Sequence, residues 1–224
     1  VCGGCSSEWG FSEGSQPFGI FRPVTLEITD KIRIEPFGVH IWNTDTSYLH
    51  IETEIKNYGD TPETFELVSK LNDDNGIAVF RLSDTITLQP GETKIVKQIS
   101  PAIKNPHLWS NDDPYLYRLA SMIKRSGKTT DELTTPYGIR TISWPLHGKD
   151  KDPTFKLNGE KVFLNGICEY EHLFGQSHAF SKDQILSRVK QIKSAGFNAF
   201  RDEHQPHNLL YQHYWDKTGI LWWP

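Results

Sequence analysis

Two short polar stretches near the carboxyl end of the chain carry the side chains best suited to binding chemistry. One contains Tyr170, Glu171 and His172, the other contains Arg201 and His204, and each follows an apolar run. An arginine such as Arg201 can hold a carboxylate ionised and oriented through paired hydrogen bonds. Tyr170 offers an aromatic face and a hydroxyl group for a ligand. Either stretch alone is weak evidence for a particular reaction.

Redox and metal chemistry have less support. Cys2 and Cys5 have C-x-x-C spacing, but no second cysteine pair completes a zinc set and no strand and helix flank them as in thioredoxin. We interpret them as incidental thiols. His204, His207 and His213 are separated by 3 and 6 residues, and this spacing crosses from a loop into a helix without an H-E-x-x-H pattern. The sequence therefore predicts neither a metal site nor a cofactor.

Composition narrows the class of protein. The chain has 224 residues, 37% hydrophobic content, seven Trp and a net charge of −4, which is typical of a folded protein and gives no electrostatic case for binding nucleic acid. No apolar run approaches the roughly 20 residues of a membrane span. The polar, Gly-rich and Ser-rich start is unlike a signal peptide. Three cysteines leave the compartment open.

The first long region, from Val24 to Ile142, is predicted to be all β. Short runs rich in β-branched and aromatic residues occur at Thr25–Ile28, Val39–Trp42, Leu49–Lys56, Thr64–Leu71, Ile77–Leu82, Thr93–Ile99, Tyr115–Ile123 and Glu132–Thr135. Several alternate apolar and polar residues, so one face of each strand is expected to be buried. Gly-rich and Asn-rich turn signals separate them. Seven or eight such strands favour an immunoglobulin-like β-sandwich.

The periodicity changes after Trp144. Asn158-Gly159 lies between two short apolar runs and predicts a hairpin, because both residues tolerate positive φ. Ser181 and Gln184 form a capping-box pattern that starts a helix. Gly196 and Gly219 are placed to end two successive helices.

Short apolar strands follow each of these helices, at Phe197–Phe200 and Ile220–Trp223. Alternation of strand and helix with short loops predicts a parallel α/β arrangement. The first helix is expected to bury one stripe of side chains, formed by Ile185, Val189 and Ile192.

Several motifs together resemble glycoside hydrolase family 2, the β-galactosidase and β-glucuronidase group. They are P-H-L-W-S-N-D-D-P-Y-L-Y (Pro106–Tyr117), Y-G-I-R-T-I (Tyr137–Ile142), F-K-L-N-G-E-K-V-F-L-N-G-I (Phe155–Ile167) and G-F-N-A-F-R-D-E-H-Q-P (Gly196–Pro206). A further run, Gly19–Leu26, is similar to the closing strand of the sugar-binding sandwich that precedes the immunoglobulin-like domain in that family. The motifs occur in the family's order over most of the chain.

The resemblance implies three parts. Residues 1–23 would be the tail of a sugar-binding β-sandwich, residues 24–143 the immunoglobulin-like sandwich, and residues 144–224 the start of a (β/α)₈ catalytic barrel, truncated after its first units. A complete barrel needs about 250 residues. An uncovered piece of barrel would leave apolar strands exposed. We therefore predict that the terminal segment packs on the sandwich or self-associates with a second copy.

The resemblance also implies chemistry. Members of the family are retaining glycosidases that use two glutamates at later barrel strands, so no catalytic residue is expected in this chain and the chain alone is predicted to be inactive. The family's R-x-x-H-x-P segment maps onto Arg201 and His204, as substrate-binding residues. Tyr170 stands where many β-galactosidases have a sugar-contacting His, and Cys168 stands where they have Asn. Glu171 and His172 complete the predicted substrate-binding set.

The resemblance therefore predicts hydrolysis of a terminal β-linked sugar, with a β-galactoside first and a β-glucuronide or β-mannoside as alternatives. The expected partner is a carbohydrate substrate, with no nucleic acid, no membrane and no cofactor. A periplasmic or secreted location follows by analogy alone. The competing interpretation is a non-catalytic carbohydrate-binding or structural β-sandwich module. Cys168 is interpreted as a buried, inert thiol because the sequence shows no base beside it.

Overall fold

The computed structural model describes residue 20 and residues 23–144, 153–171, 180–203 and 206–224. Cys2, Cys5, His172 and His204 lie outside the described residues. The chain divides into two compact units. One contains Glu27–Ser110 and Tyr115–Lys161, and the other contains Asn111–Pro114 and Val162–Pro224. No helix in the described part of the chain is long and apolar enough to cross a membrane.

Seven long strands form the body of the first unit. They are β1 (Ile32–Trp42), β2 (His50–Asn57), β3 (Glu63–Asn72), β4 (Ala78–Leu88), β5 (Thr93–Ile99), β6 (Tyr117–Arg125) and β7 (Lys128–Tyr137). They pair antiparallel in a three-stranded sheet, β1-β2-β5, and a four-stranded sheet, β4-β3-β6-β7. Three of the six connections, β2 to β3, β4 to β5 and β5 to β6, cross between the two sheets, as in immunoglobulin-like folds. The predicted immunoglobulin-like β-sandwich is confirmed.

Two strand predictions differ from the structure. Thr25–Ile28 is not a strand, and the side chains of Leu26 and Ile28 are 88% and 90% exposed. The segment does alternate polar and apolar residues, but no strand among the described residues pairs with it. β1 begins at Ile32, seven residues before the predicted start at Val39. A bulge between Ile34 and Val39, with Phe37 at positive φ, lies within the strand. Such a bulge interrupts the alternation from which a strand is predicted.

A polar layer divides the hydrophobic core of the sandwich into two clusters. Three core strands each place one small polar residue between apolar neighbours, and these residues are Thr53, Ser69 and Ser121. Ser69 Oγ donates to Gln98 Oε1 at 2.6 Å, and Gln98 Nε2 donates to Asp84 Oδ2 at 2.6 Å. The hydroxyls of Thr53 and Ser121 are buried and have no hydrogen-bond partner among the described residues.

Thr53→Val is expected to stabilise the sandwich by about 1 kcal/mol. Valine has the same shape as threonine, and a buried hydroxyl without a partner costs free energy that the substitution removes. The free energy of unfolding in urea measures the effect. Ser69→Ala is the matched control, because it leaves Gln98 Oε1 without its donor and should destabilise by about 1–3 kcal/mol. Destabilisation by Thr53→Val would contradict a net cost of the buried hydroxyl.

A small three-stranded sheet follows the sandwich strands. It consists of β8 (Ile142–Ser143), β9 (Lys156–Leu157) and β10 (Glu160–Lys161), in the order β10-β9-β8. Asn158 and Gly159 form the predicted hairpin turn, with φ of 55° and 82°. The Asn158 side chain accepts from the amide of Thr141 and donates to the carbonyl of Trp109, both at 2.9 Å. These bonds connect the hairpin to Thr141 and Trp109.

The second unit is parallel α/β, as predicted. Strands β11 (Gly166–Glu169), β12 (Ala199–Asp202) and β13 (Leu221–Trp223) alternate with helices α1 (Lys182–Ser194) and α2 (Leu209–Thr218). The strands lie parallel in the order β11-β12-β13. The capping box at Ser181 and the buried stripe of Ile185, Val189 and Ile192 are both present. The stripe packs on Phe200 and Trp215.

Asn111 ties a loop segment into this α/β unit. Its side-chain amide donates to the carbonyls of Asn198 at 3.1 Å and Gly219 at 2.7 Å. The ammonium of Lys193 donates to the Asn111 carbonyl at 2.6 Å. Gly219 ends α2 in the left-handed conformation at φ 74°. These contacts lie at the amino-terminal ends of β12 and β13.

Candidate active site

The carboxyl ends of β11, β12 and β13 meet at one edge of the sheet. Cys168 lies in register with Arg201, and Arg201 with Trp223. Because side chains alternate along a strand, this row points to one face while the neighbouring residues point to the other. Ile167 and Phe200 pack with the helices, so the row of Cys168, Arg201 and Trp223 occupies the face away from them. We call this the open face.

The helix-facing side of the same edge is held by two polar pairs. Glu169 receives a two-pronged contact from the guanidinium of Arg188 on α1, with Nε at 3.0 Å from Oε2. Asp202 is 4% exposed, and its carboxylate lies 2.9 Å from His207 Nδ1 and accepts the His207 amide at 3.1 Å. Burial opposes ionisation of Asp202, but the contacts from His207 and from the Trp222 indole hold its pKa below its ordinary value.

Glu171 supports the start of α2. It is 2% exposed, and its Oε1 accepts the amide of Asn208 at 2.8 Å. Asn208 is the N-cap residue of α2, where a negative charge also compensates the helix dipole. Burial, together with the negative charge of Glu171, raises the pKa of the Tyr211 hydroxyl to about 12. This position favours a role for Glu171 in orienting the loop.

Arg201 forms a small cluster on the open face. Its Nη1 lies 3.3 Å from the sulfur of Cys168 and 3.8 Å from Oε1 of Glu203. The thiol of Cys168 in turn donates to Oε2 of Glu203. The Arg201 side chain is 49% exposed, so its guanidinium combines fixed partners with access to solvent. It is available to a carboxylate or hydroxyl that approaches this edge.

The prediction that Cys168 is buried is wrong, because the residue is exposed on the open face. Neighbouring residues of a strand point to opposite faces. Ile167 packs against the helices, so Cys168 lies on the exposed face. Partial burial and the neighbouring Glu203 raise the pKa of its thiol. A thiol that stays protonated is a poor nucleophile.

The structure brings two of the predicted residues to this edge beside Arg201. Tyr170 and Glu171 directly follow β11, and Tyr170 is half-buried. Sequence reasoning missed Glu203 and the pair formed by Glu169 and Arg188. Glu203 could be predicted from the sequence, because it lies two residues after Arg201 and residues two apart on a strand share a face. The partner of Glu169 lies on another element, and no local pattern points to it.

Two successive parts of the chain match two models of one protein family. The family model for glycosyl hydrolases family 2 matches residues 32–140. The model for the TIM barrel domain of glycosyl hydrolases family 2 matches residues 149–222. The first range contains the seven sandwich strands, and the second contains β9 to β12, both helices and most of β13.

Related proteins and solved structures agree with these matches. A β-galactosidase of Bacteroides ovatus is 30% identical over 84% of this chain and 22% of its own length. A β-glucuronidase of Bacteroides fragilis is 28% identical over 92% of this chain and 30% of its own length. The crystal structure of a β-glycosidase from Bacteroides vulgatus has a TM-score of 0.74 at 25% identity, covering 91% of this chain and 25% of that one. The chain thus spans less than a third of each of these proteins.

Proposed function

The chain belongs to glycosyl hydrolase family 2, and from this membership we propose that it serves in a retaining β-glycosidase that removes terminal β-linked sugars. The observation that carries the proposal is Arg201, half exposed at the carboxyl edge of parallel barrel strands. Barrel enzymes place their active sites at this edge. The named relatives are β-galactosidases and β-glucuronidases.

Each predicted site residue has a role in this proposal. Arg201 orients the nucleophilic carboxylate, which the family supplies from a later strand, by charge-assisted hydrogen bonds. Tyr170, His172 and His204 contact the sugar. Glu171 acts as a positioning residue, because its buried carboxylate holds the amide of Asn208.

The rest of the chain positions this edge. Residues 24–143 act as the sandwich scaffold, residues 144–224 open the barrel, and residues 1–23 close a preceding sugar-binding sandwich. These three domain boundaries are part of the proposal. Packing of the terminal segment, where Trp223 is 71% exposed, on the sandwich or on a second copy of the chain also stays a prediction.

Hydrolysis of chromogenic β-glycosides by the complete protein that carries this sequence tests the proposal. We expect turnover of a β-galactoside, with the β-anomer of the free sugar appearing first in proton NMR spectra, as retention requires. First appearance of the α-anomer would contradict the mechanism. Sugar binding without any turnover would favour the alternative of a non-catalytic carbohydrate-binding module.

A further inference from the structure

Glu203 is a second charged group on the open face. Its amide donates to the Glu169 carbonyl at 3.0 Å, which extends the ladder between β11 and β12 by one residue and fixes the Glu203 backbone. Its side chain is 24% exposed. One carboxylate oxygen faces Arg201 and the other receives the thiol of Cys168. The carboxylate is therefore oriented beside the group proposed to face the substrate.

The charge balance at this edge is unfavourable for an anionic ligand. Among the described residues at this edge, both arginines lie beside carboxylates: Arg188 pairs with Glu169, and Arg201 lies beside Glu203. Asp202 and Glu171 add two more acidic groups just behind the open face. The Cys168 thiol is neutral, since its pKa is raised. A ligand carboxylate that binds beside Arg201 would therefore lie close to the carboxylate of Glu203.

We propose that Glu203 is a specificity-determining residue, which makes the site prefer an uncharged sugar over the corresponding uronate. This inference rests on the proposed glycosidase function. A uronate differs from its parent sugar only at C6, where a carboxylate replaces a hydroxymethyl group. Repulsion between two carboxylates about 6 Å apart lowers the relative rate by about threefold in a water-like environment and about 100-fold in a protein-like one.

The test compares matched substrates that differ only at C6. The ratio of kcat/KM for 4-nitrophenyl β-galactoside to 4-nitrophenyl β-galacturonide, and the same ratio for the glucoside and glucuronide, is measured in the complete protein. We expect the wild-type protein to prefer the uncharged member of each pair. Glu203→Gln should reduce the ratio about tenfold, because it keeps an oxygen for the Cys168 thiol, removes the charge and frees Arg201.

Two further variants separate charge from other effects. Glu203→Asp keeps the charge and should retain most of the preference. Glu132→Gln, on the exposed side of β7, should leave both ratios unchanged. The effect of Glu203→Gln should also shrink as salt is raised, because the repulsion is screened.

The outcomes distinguish this inference from the proposed function. Hydrolysis with a wild-type preference for the uronide, or with a ratio that Glu203→Gln does not change, would overturn the role of Glu203 and leave the glycosidase function intact. No hydrolysis of any of the four substrates would overturn both.

Discussion

Arg201→Lys is expected to lower kcat/KM for a β-glycoside by about 100-fold to 1,000-fold, the range typical of losing one preorganised donor at a developing charge. Lysine keeps the positive charge but loses the planar fork that binds a carboxylate at two points. It also loses the fixed contacts of Arg201 to Cys168 and Glu203. Steady-state kinetics of the complete protein measure the change, which should appear mainly in kcat because Arg201 is proposed to act on the nucleophile.

The matched control is Arg81→Lys. Arg81 also pairs with a carboxylate, Glu66, at 3.0 Å, but on the exposed surface of the sandwich. Its replacement should leave kcat/KM unchanged within experimental error. Equal kinetic effects of the two substitutions would contradict a specific role for Arg201, and circular dichroism of both variants would show whether the fold is kept.

Gly219→Ala is expected to destabilise the α/β unit by about 3 kcal/mol or more. A Cβ at this position would lie 2.2 Å from the carbonyl oxygen of Asn111, which is backbone and is held in turn by Lys193. The left-handed φ of 74° adds about 1–2 kcal/mol for any residue with a Cβ. Thermal or urea unfolding followed by tryptophan fluorescence measures the loss, since Trp215 is fully buried in this unit.

Gly196→Ala separates the two contributions. Gly196 follows α1 at φ 87° just as Gly219 follows α2, but a Cβ there meets nothing within 4 Å. This substitution should cost only the conformational part, about 1–2 kcal/mol. If the two variants lose the same stability, the contact with Asn111 does not restrict the position.

Local rules predicted most of the fold. The capping box at Ser181, the stripe of Ile185, Val189 and Ile192, and the Asn158-Gly159 turn are encoded by residues within a few positions of one another, and all three are present. The bulge in β1 was missed because a bulge breaks the alternation from which a strand is recognised. The hydrogen bond from Asn158 to Trp109 joins residues 49 apart in sequence, so no local pattern predicts it.

The candidate site was predicted less completely. Motif resemblance identified Arg201 and Tyr170, and the strand order then brought them to one edge. The exposure of Cys168 depends on which face of β11 packs on the helices, and a single short strand does not reveal that face. The role of Glu169 depends on Arg188, which lies on the next helix. Such pairings arise from tertiary packing.

The polar layer in the sandwich has a consequence for strand register. A slip of one residue turns a strand's buried side chains outward, so burial alone forbids it. A slip of two residues keeps every apolar side chain inside, and a uniformly apolar core would tolerate it. Here such a slip would move Ser69 away from Gln98 and bury both groups among isoleucine and leucine side chains, at a cost of about 1–3 kcal/mol for each unpaired group. The layer thus selects one alignment among those that hydrophobic burial leaves nearly equivalent.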